Sequence, residues 1–174
     1  QKTGDVKDVT TIDVLPAKSL YKQLWQPYLA QWDEDYYVVS YGYKLDGKSD
    51  IGDLVCSITR DGGKTWSEPF LLNMSSVRCH GTLAKVNNRL YYSIPQGIGE
   101  KEKINWDDDR VNGSIYFSDD DGATWDHKVI EPGYYSYSTV GKLVDEYMIT
   151  FYARGGHGDK GIGYRIFTDD WLDK

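Results

Sequence analysis

Hydrophobic and polar residues alternate over short stretches of this chain that are rich in aromatic and β-branched side chains. Gly, Asn and Asp interrupt these stretches, which is typical of β-strands joined by tight turns. Asn87 and Asn88 are predicted to form one hairpin turn. The pattern predicts no helix of ordinary length and eleven strands, over 27–32, 36–43, 53–60, 68–72, 81–86, 89–94, 114–118, 126–130, 138–144, 147–153 and 161–168.

These strands form three units of an all-β fold, over residues 24–72, 78–130 and 134–174. The first two units have four antiparallel strands each, as in the blades of a β-propeller, and the third has three. The segment 6–16, with strand composition from Val9 to Leu15, is a candidate for the missing outer strand. Propeller rings contain about 4 to 8 blades, so three blades need completion. Two alternatives are a homodimer with six blades, in which each chain lends its N-terminal strand, and the remainder of a longer chain.

A short motif occurs twice, first as Thr59-Arg60-Asp61-Gly62-Gly63-Lys64-Thr65-Trp66 and then as Ser118-Asp119-Asp120-Asp121-Gly122-Ala123-Thr124-Trp125. Its hydroxyl and carboxylate groups suit bonds to backbone N–H groups, its Gly suits a positive φ, and its Trp suits packing under the turn. The motif therefore predicts a structural hairpin clasp. A shortened third copy is expected at 167–171, where the third unit should carry one.

Composition excludes several classes of partner. The chain of 174 residues has a net charge of −7 without a cluster of Lys and Arg, which argues against nucleic acid and anionic membranes. No hydrophobic run is long enough for membrane insertion, and the first residue, Gln1, indicates either a processed protein or a piece cut from a longer one. A secreted or periplasmic location is expected. Cys56 and Cys79 lack metal-site spacing, so no metal and no cofactor are expected; burial as free thiols is favoured over a disulfide.

The motifs resemble the Asp-box, or BNR, repeats of the sialidase (neuraminidase) superfamily. Residues 24–66 resemble the first blade of that family, and 137–172 resemble the last, including its ending Phe167-Thr168-Asp169-Asp170-Trp171-Leu172. The resemblance implies a six-bladed propeller, of which this chain forms about half. The 15 Tyr and 6 Trp residues suit such a sheet-rich fold and the stacking of aromatic rings on sugars.

The resemblance also implies catalytic roles. Sialidases attack through a Tyr and use an Asp as acid/base, and Tyr137 and Asp50 lie at the similar positions, with Tyr135 and Asp46 as alternatives. The first Arg of the family's carboxylate-binding set is absent, because the chain reads Trp25-Gln26-Pro27 where the family has Arg-Ile-Pro. We therefore expect a glycoside hydrolase of sialic-acid-type or related glycans with an altered site. The alternatives are a non-catalytic glycan-binding propeller and a protein-interaction propeller.

Ligands of propellers bind the end that carries the loops between strands 2 and 3 and between blades. On this chain those loops are 44–52, 73–80, 95–113, 131–137 and 154–160. Aromatic side chains stack on sugar rings, and Arg binds hydroxyl or carboxylate groups. The acidic run 107–109 is interpreted as a solvated part of its loop. The candidate substrate-binding residues are Arg78, His80, Trp106, Tyr135 and Arg154.

Overall fold

The computed structural model describes residues 21–32, 35–44, 52–77, 79–97, 109–155 and 161–174. The predicted closing strand at 6–16 lies outside these residues. Three antiparallel sheets follow one another along the chain. Sheet 1 contains β1 (Tyr21–Trp32), β2 (Asp35–Lys44), β3 (Gly52–Thr59) and β4 (Phe70–Ser76). Sheet 2 contains β5 (Thr82–Val86), β6 (Arg89–Pro95), β7 (Val111–Ser118) and β8 (Asp126–Tyr134).

Sheet 3 contains β9 (Ser136–Val144), β10 (Tyr147–Arg154) and β11 (Gly161–Phe167), and the short helix α1 (Asp169–Leu172) follows it. Each sheet is a meander, in which every strand pairs with the next strand along the chain. All eleven predicted strands are present, in the predicted order. The described residues therefore form three blades of a β-propeller, two with four strands and one with three.

The main difference from the predicted strands is in β1, which was expected to begin at Pro27 and begins at Tyr21. Pairing with β2 continues across the proline, but the register shifts between Trp25 and Tyr28. Proline has no backbone N–H and cannot donate a ladder hydrogen bond, so an irregularity at this point is expected. The strand passes the proline by means of this local shift.

Sheet 2 lies between the other two sheets, because both of its faces are apolar. Leu90, Tyr92 and Ile94 of β6 pack with Leu54 and Leu72 of sheet 1 in one buried cluster. The intervening residue Tyr91 faces the opposite way, as expected for the two-residue period of a strand. The second cluster joins sheet 2 to sheet 3 and α1, through Tyr91, Ile115, Phe117, Val140, Met148, Phe167 and Leu172.

The two copies of the motif form nearly identical turns, which we call the repeat turns (59–66 and 118–125). In the first, Thr59 Oγ1 donates to Asp61 Oδ1 at 2.8 Å and accepts from the Gly63 N–H at 2.9 Å. Asp61 also accepts from the backbone and the hydroxyl of Thr65, at 3.0 and 2.7 Å. Trp66 Nε1 donates to the Gly63 carbonyl at 3.2 Å.

The second repeat turn makes the same bonds through Ser118, Asp120, Gly122, Thr124 and Trp125. Ser118 Oγ donates to Asp120 Oδ1 at 2.8 Å and accepts from the Gly122 N–H at 2.9 Å. The Thr124 N–H and hydroxyl donate to Asp120 at 2.8 and 2.6 Å, and Trp125 Nε1 donates to the Gly122 carbonyl at 3.0 Å. The polar groups of both turns are used in holding the turn, in agreement with the predicted structural role.

The shortened third copy differs from the other two. Its residues form α1, and Thr168 caps this helix by accepting a hydrogen bond from the Trp171 N–H at 3.3 Å. The copy lacks the Gly that gives the repeat turns their positive φ, and its Thr caps the N-terminus of a helix instead, with Asp169 and Asp170 in the first turn. The Trp171 ring packs near Phe167, with 6.3 Å between ring centroids. Trp171 is partly buried and packs against the apolar cluster that joins sheets 2 and 3.

Candidate functional site

Successive turns of a meander alternate between the two ends of its sheet. The repeat turns and the hairpins at 87–88 and 145–146 therefore lie at one end, which we call the clasp end. The connections from β6 to β7, from β8 to β9 and from β10 to β11 lie at the opposite end, which we call the loop end. Tyr135 joins β8 to β9, so Tyr135, Tyr137 and Arg154 all lie near the loop end.

Tyr137 is an exposed aromatic residue at the described loop end. Its side chain is 54% exposed, and its backbone has a φ of +46°. A tyrosine in the left-handed region is strained by roughly 1–3 kcal/mol, and such residues persist where their surroundings hold them. The guanidinium carbon of Arg110 lies 5.0 Å from the centre of the Tyr137 ring, within the range of a cation–π contact.

The segment before β5 supports this conformation. The Tyr137 N–H donates to Cys79 Sγ at 3.1 Å, and the Ser138 N–H donates to the His80 carbonyl at 3.2 Å. Burial raises the pKa of the Cys79 thiol and lowers that of His80, so both side chains are neutral near pH 7. Arg110 is 6% exposed and supplies positive charge beneath Tyr137.

Tyr135 anchors the same segment from inside the protein. Its side chain is fully buried, and its hydroxyl lies 2.6 Å from both Ser93 Oγ and Thr150 Oγ1. Its ring stacks on that of Tyr152, with 4.4 Å between centroids, and burial raises the pKa of Tyr135. The structure therefore differs from the expectation that Tyr135 binds substrate or replaces Tyr137 as the nucleophile, since a buried neutral phenol reaches no ligand from solvent.

A groove of about 610 Å³ lies at the outer part of sheet 3. Glu131 accepts a hydrogen bond from the Tyr152 hydroxyl at 2.9 Å and forms an ion pair with Arg165. Burial and the bond to Glu131 raise the pKa of Tyr152 to about 12. Arg154 lines this groove together with Tyr134, and the lining does not include Tyr137. Of the two predicted site residues Tyr137 and Arg154, Arg154 therefore lines this groove and Tyr137 does not.

Asp50, Arg78 and Trp106 lie outside the residues that the structure describes, as does Asp46. His80 is described and contributes its backbone carbonyl to the Tyr137 segment. Sequence reasoning did not assign Arg110, although this residue directly precedes β7 at the loop end. The solvated interpretation of the acidic run is wrong for Asp109, which is 4% exposed, because the chain turns inward there to begin β7.

Two other features are absent from the described part of the chain. No group of three or more His, Cys, Asp or Glu residues could hold a metal ion within the described ranges. Among these same residues no helix is long and apolar enough to cross a membrane. The buried residues Cys56 and Cys79 are free thiols.

Comparison with solved structures defines the fold. The chain superposes on the NanB sialidase of Streptococcus pneumoniae with a TM-score of 0.60 and 12% identity, over 84% of this chain and 23% of that one. An intramolecular trans-sialidase from Ruminococcus gnavus gives 0.54 and 17%, over 84% and 33%. A xylan β-1,4-xylosidase from Bacillus halodurans gives 0.57 and 17%, over 85% and 29%. No protein-family model matches the sequence, and no curated protein matches it.

The chain therefore has a sialidase-like β-propeller fold. This is the fold of a class of carbohydrate-active propeller proteins that includes sialidases and xylosidases. The chain spans about a quarter to a third of the length of the three neighbours named above. At identities of 12–17% the likeness concerns the fold alone.

Proposed function

We propose that this protein binds glycans at the loop end, through a site centred on Tyr137, outside the cytoplasm. The observation that carries the proposal is an exposed tyrosine ring held in a strained conformation beside a buried arginine. An aromatic face offers a stacking surface to a sugar ring. The charge of Arg110 favours a sugar that carries a carboxylate, because a positive charge in a partly buried setting is weakly screened.

The geometry supports binding more directly than hydrolysis. Arg110 is 6% exposed, so it acts by holding the Tyr137 ring and by its charge, and Tyr137 supplies the contact surface. The two repeat turns are Asp-boxes in this proposal and contribute to the fold only, because their polar groups are engaged within the turns at the clasp end.

Binding is tested with a panel of acidic and neutral glycans, followed by titration calorimetry on those that bind. Tyr137→Ala should weaken binding by about tenfold, which corresponds to roughly 1.4 kcal/mol and to the upper range of aromatic stacking. Tyr147→Ala is the matched control, since Tyr147 is 43% exposed on the same sheet at the clasp end. Equal affinities of the two variants, or no glycan bound by the parent protein, would contradict the proposal.

A second candidate function is glycoside hydrolysis of the sialidase kind. The position of Tyr137, which resembles that of the family nucleophile, favours it, since the hydroxyl belongs to an exposed side chain beside a guanidinium group. Turnover of an aryl sialoside should then disappear in Tyr137→Phe and in Asp50→Asn. If the parent protein binds glycans without turning them over, hydrolysis is refuted and glycan binding is the function that remains.

The remaining blades are part of the proposal as well. A second copy of the chain supplies them if a homodimer completes a six-bladed propeller, and otherwise the remainder of a longer chain supplies them. A protein-interaction propeller without a glycan ligand is the outcome if assembly is detected and no glycan binds.

A further inference from the structure

Strand β11 is the outer strand of sheet 3, and it differs from the third strands of the other two sheets in having no described strand on its outer side. Sheets 1 and 2 each have a fourth strand on the outer side of their third, namely β4 and β8. In the described ranges no strand pairs with the outer edge of β11, whose seven residues pair with β10 on the inner side. Among the described strands, the backbone N–H and C=O groups of this edge therefore have no partner strand, and such groups accept a strand that approaches them.

The side chains of β11 are also unusually apolar for an exposed edge. Ile162 is 80% exposed, Tyr164 57% and Ile166 48%. Natural edge strands are usually protected by charges, prolines or bulges, and apolar side chains at an edge mark a surface that is covered in the assembled protein.

The groove of about 610 Å³ has the place and the walls that an added strand requires. It extends along 162–166 of β11 and is bounded on the other side by Glu131 and Tyr134 of β8. Its floor is the Tyr152 ring opposite Gly163, where an added Cβ would lie 2.5 Å from that ring. A fourth strand beside β11 would fill this groove and pack against β8.

We propose that residues 9–15 of a second copy of this chain add to β11 as the fourth strand of sheet 3. The segment reads Val9-Thr10-Thr11-Ile12-Asp13-Val14-Leu15, and five of its seven residues are β-branched. Its length equals that of β11, and Pro16, which has no N–H to donate, ends it. This inference rests on the homodimer part of the proposed function and is independent of glycan binding.

The position of β1 favours a second copy over the same chain. The first strands of the three blades lie side by side, with β5 between β1 and β9, so two sheet spacings of about 10 Å separate sheet 1 from sheet 3. A strand outside β11 lies about 14 Å further out, in the direction perpendicular to the sheet stacking, so the two displacements combine to a distance of about 24 Å. The link from Leu15 to Tyr21 spans at most about 21 Å when fully extended. Exchange between two copies removes this restriction.

The test uses disulfide formation between differently substituted copies. One copy carries Tyr164→Cys, the other carries a single cysteine placed in turn at each position from 9 to 15, and the two are refolded together and mildly oxidised. Paired residues in adjacent antiparallel strands lie about 4.5–5.5 Å apart, which suits a disulfide. The native thiols of Cys56 and Cys79 are at most 1% exposed and do not compete. Val144→Cys, at a 52% exposed position of β9, is the control partner.

We expect a crosslinked species of twice the chain mass of 19.9 kDa with Tyr164→Cys and none with Val144→Cys. Deletion of 1–15 should abolish the dimer and expose the β11 amides to hydrogen exchange. A crosslink formed only within one chain, when both cysteines are on it, would overturn exchange between copies. The absence of a crosslink at every position would overturn the assignment of the segment. Glycan affinity, measured on the same samples, reports on the proposed function separately.

Discussion

The hydroxyl cluster beneath the candidate site allows a quantitative prediction for Tyr135→Phe. This change removes two hydrogen bonds, to Ser93 Oγ and to Thr150 Oγ1, each 2.6 Å long. Buried hydrogen bonds contribute about 0.5–1.5 kcal/mol each, which gives a loss of about 1–3 kcal/mol. The Ser93 and Thr150 hydroxyls keep their hydrogen bond to each other, at 3.1 Å, so neither is left unpaired. The loss should therefore lie in the lower part of the range of about 1–3 kcal/mol. We expect the free energy of unfolding to fall by about 1–2 kcal/mol.

Urea denaturation followed by tryptophan fluorescence measures this loss. With a slope of roughly 2 kcal/mol/M, the midpoint should shift down by about 0.5–1 M without a change in slope. Tyr137→Phe is the control, because its hydroxyl is on a side chain 54% exposed and should change stability by less than about 0.5 kcal/mol. The reasoning would be refuted by an unchanged midpoint for Tyr135→Phe, or by an equal loss in both variants.

Two further predictions concern the same blades. Gly113→Ala should destabilise the protein by about 1–3 kcal/mol in thermal unfolding, because its Cβ would lie 2.1 Å from the Tyr135 ring. The control Gly141→Ala, whose Cβ would have nothing within 4 Å, should leave the stability nearly unchanged. Similar losses of stability in the two variants would contradict this prediction. The hydrogen bonds from Thr124 and Ser118 lower the pKa of Asp120 to about 2, below its ordinary value of about 3.9. Its contribution to stability is therefore present above about pH 4 and lost as pH falls toward 2; Asp120→Asn should flatten this part of the pH profile.

The repeat turns show that local chemistry was sufficient to predict part of the structure. Their hydrogen bonds join residues at most four positions apart, so the motif at 118–125 predicts its own turn without knowledge of the rest of the chain. The strands followed from the alternation of apolar residues for the same reason. The third copy was expected to be a shortened version of the same motif, but without the Gly it forms a capped helix. The position of this helix depends on the residues of sheets 2 and 3 that Trp171 packs against, which are distant in sequence.

The candidate site depended on contacts between residues distant in sequence. Tyr135 and Tyr137 are two positions apart and have similar composition around them, yet one is fully buried and the other is 54% exposed. Their difference arises from Ser93 and Thr150, which bind the first, and from Arg110, which lies under the second. No local pattern distinguishes such neighbours.

The sequence by itself determined the eleven strands, the two repeat turns and the three strands of the third described sheet, because turn chemistry and the two-residue period of strands are local properties. The tertiary structure alone decided which tyrosine faces solvent, which arginine lies beneath it, and that Arg154 belongs to a separate groove beside β11. Those features depend on how sheets 2 and 3 pack. Packing brings together residues far apart in the chain, such as Ser93 and Thr150 at 57 positions and Arg89 and Asp173 at 84, whose proximity leaves no trace in the order of residues along the chain.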